Sequence, residues 1–391
     1  MSVTRVTQNA IFQTTRNILQ QQQRRLFDAQ EVVSTQKRIN RLSDDPLGAG
    51  QVVSLRGELS QVVQFQRNIG RATTLAEAYD TALGQANDIL TRARELVLSQ
   101  SSTATTSEQT REAVAIELIS LREQLVSIAN SRIGGKYIFA GHRDSTEPFT
   151  EASVMASVGG GNTGTGVVAS SIVTDVTEVT GDDHQIVFTS STTFDIVNTT
   201  QGVTVSSGNT FTPGGNIAFE GISVQITGAP AAGDVFDMAV ELPGVYRGDS
   251  GQVRLEIEQD ILATVNLTGD AVFQGVGSAG GENLFDVFND VVSALRSDDE
   301  AGIVATLDRL DAAQDQIVGH QAIVGARENQ LDTTSLRLAD LELNLQSLIS
   351  SIEDVDVTEA ITNFTQAENA YQASLGAASR MIQPSLLDFL A

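Results

Sequence analysis

The chain has 391 residues, 41% of them hydrophobic, and a formal net charge of −25. At roughly 100–200 residues per domain this length calls for two or three domains, and so negative a chain is excluded from non-specific nucleic-acid binding, because phosphates would repel it. Aromatics make up only 5% with no tryptophan, which argues against platforms for stacked bases or sugars. Cysteine is absent, excluding disulfides and thiolate metal sites. No run of about 18 apolar residues could cross a bilayer, and the first 30 residues, broken by Gln13, Arg16 and the Gln20–Arg25 block, lack the apolar stretch of a secretory signal.

From Val6 to about Leu42 the pattern is helical. Phe12, Leu19, Leu26 and Val33 recur every seven residues, the spacing of a helix-packing seam. This first stretch is also locally basic, with seven basic side chains in residues 1–43 against Asp28 and Glu31. Such charge suits either a solvated helix face or contact with an acidic neighbouring subunit. Ser43-Asp44-Asp45-Pro46 has the chemistry of a helix start: a serine side chain to cap free amides, acids at the positive end of the dipole, and a proline tolerated in the first turn. A second long helix is expected from there to about Ser99. A third, apolar at Ile116, Leu118, Leu121, Leu125 and Ile128, should end near Gly134-Gly135.

Between Asp144 and Tyr246 no Lys or Arg occurs, while Gly, Ser, Thr and Val dominate. This region is expected to be an inserted β-rich domain, with half-buried strands at Ile222-Val224-Ile226 and Phe236-Met238-Val240. Helices return at Asn283, a candidate cap, and again at Ser297-Asp298-Asp299-Glu300, which reads as a capping box. The helix opened there runs into a second seam, Leu331, Leu338, Leu345 and Ile352, with Leu341, Leu348 and Val355 at the companion spacing. The phase breaks at Asp354-Val355-Asp356. A last helix carries Ile361, Phe364, Tyr371, Leu375 and Ile382 on one face.

The expected fold is therefore mainly α with a β-rich insertion, its N- and C-terminal regions pairing as a long antiparallel helical bundle or coiled coil. Three domains are expected: 1–43 with 357–391 as a terminal helical assembly domain, 44–149 with 244–356 as a helical rod, and 150–243 as the outer β domain. An architecture whose two ends pair suits a subunit that stacks along an axis rather than one that encloses a pocket.

Several strings carry a family resemblance. Lys37-Arg38-Ile39-Asn40-Arg41-Leu42-Ser43-Asp44-Asp45-Pro46, Val324-Gly325-Ala326-Arg327-Glu328-Asn329-Gln330-Leu331, Ile352-Glu353-Asp354-Val355-Asp356, Ala370-Tyr371-Gln372-Ala373-Ser374-Leu375 and Ser385-Leu386-Leu387-Asp388-Phe389-Leu390 are similar, in order and position, to the flagellin superfamily. Pro46 after the two aspartates, Tyr137-Ile138-Phe139-Ala140-Gly141 and the Leu-Leu-Asp-Phe-Leu ending resemble its hook-associated members more than flagellin itself. The resemblance covers about 1–150 and 230–391. It implies a structural protein exported through the flagellar type III apparatus with the help of a chaperone, which assembles as a ring at the hook tip between hook-associated protein 1 and flagellin. It also implies an assembly interface on the terminal helices, made by Phe12, Leu19, Leu26, Val33, Ile361, Phe364, Tyr371, Leu375, Ile382, Leu386 and Leu387.

No catalytic residue, cofactor, metal, nucleic acid or membrane is expected. Gly159-Gly160-Gly161-Asn162-Thr163-Gly164 fits a phosphate-loop spelling, but a β-branched run follows it where a helix would be needed, so a flexible loop is expected. His142, His184 and His320 lack zinc spacing. Arg247-Gly248-Asp249 reads as a turn. Rival functions are flagellin itself, a secreted hydrolase using Asp195, Glu220 and Asp237, and a membrane-active translocator with amphipathic termini.

Overall fold

The structure is a computed structural model that describes residues 8–101 and 107–382. It contains seven helices and twelve strands among the described residues: α1 Gln8–Thr35, α2 Pro46–Gln100, α3 Glu108–Ala129, β1 Arg132–Ile133, β2 Lys136–Tyr137, β3 Ser153–Val158, β4 Val167–Val173, β5 His184–Phe188, β6 Thr193–Asn198, β7 Val203–Thr210, β8 Asn216–Phe219, β9 Ile222–Thr227, β10 Val235–Glu241, β11 Arg254–Glu258, β12 Ile261–Thr264, α4 Gly269–Phe273, α5 Leu284–Arg296, α6 Glu300–Glu353 and α7 Val357–Ile382. The long terminal helices and central antiparallel β-structure agree with the sequence reading. The chain divides into two compact units, a terminal unit of residues 1–67 with 334–391 and a central unit of residues 68–333.

Two expected helix ends move. α1 stops at Thr35 rather than near Leu42, because Gln36 takes a left-handed φ of 57° and the amides beyond it bond to another part of the chain. α3 stops at Ala129, and Gly134 and Gly135, both left-handed, form the turn of the small β1–β2 hairpin. The caps shift too. Asp45, not Ser43, accepts the Gly48 amide at 2.9 Å to open α2. Asp299, not Ser297, accepts that of Gly302 at 3.0 Å to open α6. In both places the residue next to the first turn wins, since a cap must reach the N2 or N3 amide. Asn283 does cap α5, accepting from Phe285.

The central unit has two cores. One joins α2, α3, α5 and α6 through Tyr79, Leu83, Leu90, Leu118, Leu125, Phe288, Leu310 and Ile317. A run of rings threads it, Tyr79 to Phe139 at 5.2 Å, Phe139 to Phe273 at 4.9 Å, Phe273 to Phe149 at 5.5 Å and Phe149 to Phe285 at 5.1 Å between centroids. The first three of these are edge-to-face, a geometry that adds to the area the rings bury. Gly244 must be glycine here: at φ 101° its missing Cβ would lie 2.3 Å from the Phe285 ring.

The second core lies between a five-stranded sheet, ordered β3-β10-β5-β6-β7, and a three-stranded one, β4-β9-β8, all antiparallel. Phe188, Phe194, Phe236, Met238, Val224 and Ile226 fill it. β9 is more buried than its alternation suggested, with Ile222, Ser223, Val224 and Ile226 all covered, because it is the middle strand of its sheet. The insertion begins and ends on paired strands, Ser153 opposite Glu241, so the chain enters and leaves it at one place. The loop after β4 sits on both cores, with Val176 against the helices and Val179 inside the sheets.

Phe149→Ala removes the ring shared by two of these contacts and by a third with Tyr246 at 5.1 Å, and large-to-small changes at such sites cost about 3–5 kcal/mol. The denaturant midpoint of the purified protein should fall accordingly at an unchanged slope. A loss below about 1 kcal/mol would mean that the rings are not a structural hub.

Candidate assembly interface

In the terminal unit α1 packs along α7. The helices are antiparallel, since the residues just after α1 meet those just before α7: Val355 donates its amide to the Gln36 carbonyl at 3.1 Å, and Lys37 bridges Asp354. The inner stripe is the one the heptads mark. Leu19, Leu26 and Val33 on α1 are half-buried, as are Phe364 and Tyr371 on α7, while Ala360 and Ala378 are buried.

The other expected interface residues are not covered within the unit. Phe12 is 54% exposed, Ile361 50% and Leu375 44%. Ile382 ends α7, and Leu386 and Leu387 lie outside the described residues. The second seam is also half open. Leu338 and Leu345 are buried, but two of the three companion residues are exposed, Leu341 at 43% and Leu348 at 51%. Exposed apolar side chains recur across the same unit at Ile18, Phe27, Leu47, Val53, Leu336 and Leu343. Single exposed apolar side chains are ordinary, but so many on the helices of one small unit point to a partner surface.

Two of the family-like strings are bonded to each other, which spacing alone does not reveal. Glu353, 6% exposed, binds Lys37 Nζ at 2.8 Å and Arg56 at 2.7 Å through both carboxylate oxygens. Its backbone carbonyl accepts the Arg38 amide at 2.7 Å, and the Arg38 guanidinium donates to the Ile352 carbonyl at 2.8 Å. Ile39 is buried below this clasp. Its Cδ1 would lie 2.9 Å from a Cβ at position 48, so Gly48 lets α2 begin there. The Gly48 amide, with Arg38 beside it, holds the Asp45 carboxyl below its ordinary pKa. The Thr358 and Glu359 amides do the same to Asp356, the cap of α7.

The sharper chemical readings resolve into local structure. The Gly159–Gly164 turn is tied down, with Thr163 and Gly164 donating their amides to Asp234 at 2.7 and 3.1 Å and Asn162 clamped to Val235. Those amides face a carboxylate of their own chain. The three carboxylates of a possible hydrolase each serve a neighbour: Asp195 accepts from Gly208, Glu220 pairs with His184 at 2.7 Å, and Asp237 accepts from Gln185. His142 and His320 sit on backbone carbonyls of Gln252 and Ala271. Asp249 accepts the amides of His142 and Gly251, the pattern of a turn.

Two predictions follow from these contacts. Glu353→Ala leaves Lys37 and Arg56, themselves about half exposed, free to hydrate, so the cost is that of the lost charge-assisted hydrogen bonds, about 1.5–3 kcal/mol; Arg41→Ala breaks the exposed pair with Glu31 and should cost under about 1 kcal/mol. Hydrogen exchange in α1 and α7 distinguishes them, and equal effects would remove the clasp from its central place. Asp234, whose pKa is held down first by the Ala231 amide and then by those of Thr163 and Gly164, stabilises the β domain above the unfolded carboxylate pKa of about 3.9. That contribution is lost as pH falls through the lower folded value. Asp234→Asn should flatten the acid limb of the β domain's stability, and an unchanged limb counts against this role.

Comparison with known proteins adds three matched regions. The bacterial flagellin N-terminal helical region is matched over residues 6–144 and the C-terminal helical region over 307–390. The D2-like domain of flagellar hook-associated protein 1 is matched over 158–239, the part of the insertion for which the sequence reading had no relative. Flagellar hook-associated protein 3 of Escherichia coli is 22% identical over 90% of this chain and 88% of its own. Flagellin A of Vibrio anguillarum is 24% identical over 100% of both. A solved structure from Vibrio parahaemolyticus, described as flagellar hook-associated, superposes with a TM-score of 0.52 at 17% identity, over 80% of this chain and all of that one; it shows a shared fold.

Proposed function

The chain belongs to the bacterial flagellin family, and on that premise we propose that it is a hook-associated protein, the adaptor joining the hook to the flagellin filament. The observation that carries this reading is the pairing of flagellin-type helical ends with an insertion of the hook-associated type. A filament subunit shares the first feature. The second favours the junction over the filament.

In this reading the chain leaves the cell unfolded through the flagellar export apparatus, escorted by a chaperone that keeps its apolar helices apart. At the hook tip copies associate as a ring, with hook-associated protein 1 below and flagellin above. The terminal helices are the joint, because Phe12, Ile361 and Leu375 remain exposed after α1 and α7 have paired and need a neighbour to cover them. The role requires shape and stacking, and no side chain in it performs chemistry. The central unit, with its own two cores, keeps its fold whether or not the ends are assembled.

A strain lacking the chain should carry bare hooks and release flagellin to the medium, and the wild-type copy should restore filaments. Leu375→Asp puts a charge on the outer face of α7. In the free subunit it stays near water, but burial against a neighbour would cost several kcal/mol. The expected outcome is normal export, unchanged unfolding of the central unit and loss of filament attachment. Normal filaments on this variant would move the joint elsewhere in the molecule.

A further inference from the structure

The outer faces of α1 and α7 form two stripes of matching length and opposite charge. On α1, Phe12, Arg16, Gln20, Gln23 and Phe27 are all exposed, and their spacing places them on one side of the helix, next to the inner seam. On α7, Ile361, Thr365, Glu368, Gln372 and Leu375 are all exposed at spacings of four, three, four and three. Each stripe has a large apolar residue at both ends and a charge between them. At 1.5 Å per residue the apolar ends are about 22 Å apart on α1 and about 21 Å apart on α7.

We infer that the outer stripe of α1 in one copy docks antiparallel on the outer stripe of α7 in the next copy. Phe12 then meets Leu375, Phe27 meets Ile361, and the Arg16 guanidinium, on its long stem, reaches Glu368. This rests on the reading of the terminal helices as the joint and adds which faces mate. The occupant is a second copy because the complement of each stripe in length and charge lies on the other helix of the same chain. The two surfaces differ, so the contact is heterologous and adds copies in one direction around a ring or along a helix. Arg16 and Glu368 serve mainly to fix partner and register.

The cysteine-free chain allows a direct test. Two differently tagged full-length chains, one Gln23→Cys and one Thr365→Cys, are co-expressed, and flagella are isolated and mildly oxidised. Both side chains lie on the stripes, and antiparallel docking brings them level. The expected product is a disulfide joining one chain of each kind. Same-site pairs alone, or no cross-link in flagella that keep their filaments, would overturn the inference. Charge reversal gives a second readout: Arg16→Glu or Glu368→Arg alone should lower the fraction of filament-bearing hooks by about tenfold or more, and both on one chain should restore it. Full filaments on either single variant, or no restoration, would also overturn it. If Leu375→Asp abolishes attachment and these tests fail, the junction reading stands and only the proposed docking falls; if Leu375→Asp has no effect, the junction reading itself fails.

Discussion

One buried carboxylate holds the terminal unit together. Glu353 ends α6, and its two oxygens and its carbonyl fasten the chain just after α1 and the start of α2, through Lys37, Arg38 and Arg56. A charge this deep is costly unless both oxygens are paired. Here they are, by cations about 300 residues away in sequence. The pairing also explains the shape of α1. The helix does not continue through Lys37 and Arg38 because their groups are used on Glu353, and Gln36 turns left-handed to deliver them.

From that clasp the rest of the unit follows. With the end of α1 fixed beside the start of α7, the two helices can only run back along each other, and their heptad stripes meet. What remains is a pair of helices with one stripe satisfied and another open. A monomer with its own purpose would cover or charge the second stripe. In the proposed reading that stripe is kept for the next copy.

The central unit obeys a different constraint. Its helical core is closed by rings from three separate stretches, Tyr79, the Phe139–Phe149 segment and the Phe273–Phe285 segment. Its β domain closes two sheets over a phenylalanine cluster. The loop with Val176 and Val179 links the two cores, so the insertion sits on the helices as part of the same unit.

The sequence by itself determined the helices and their inner faces, because a seven-residue apolar repeat has only one good use in water. It also determined that the middle is β. It placed the start of α2 at Pro46 and the break at Asp354–Asp356, where turn and cap residues leave little choice, but not the end of α1 at Thr35. It did not determine which residues cap, because Asp45 and Asp299 win by reach rather than by type. Only the tertiary structure decided that Glu353 belongs to Lys37 and Arg56, since pairing across hundreds of residues has no period to read. It also decided that Phe12, Ile361, Leu375, Leu341 and Leu348 stay open, because whether an apolar residue is covered depends on what the folded chain can bring to it. A stripe in a sequence states only that some partner is needed.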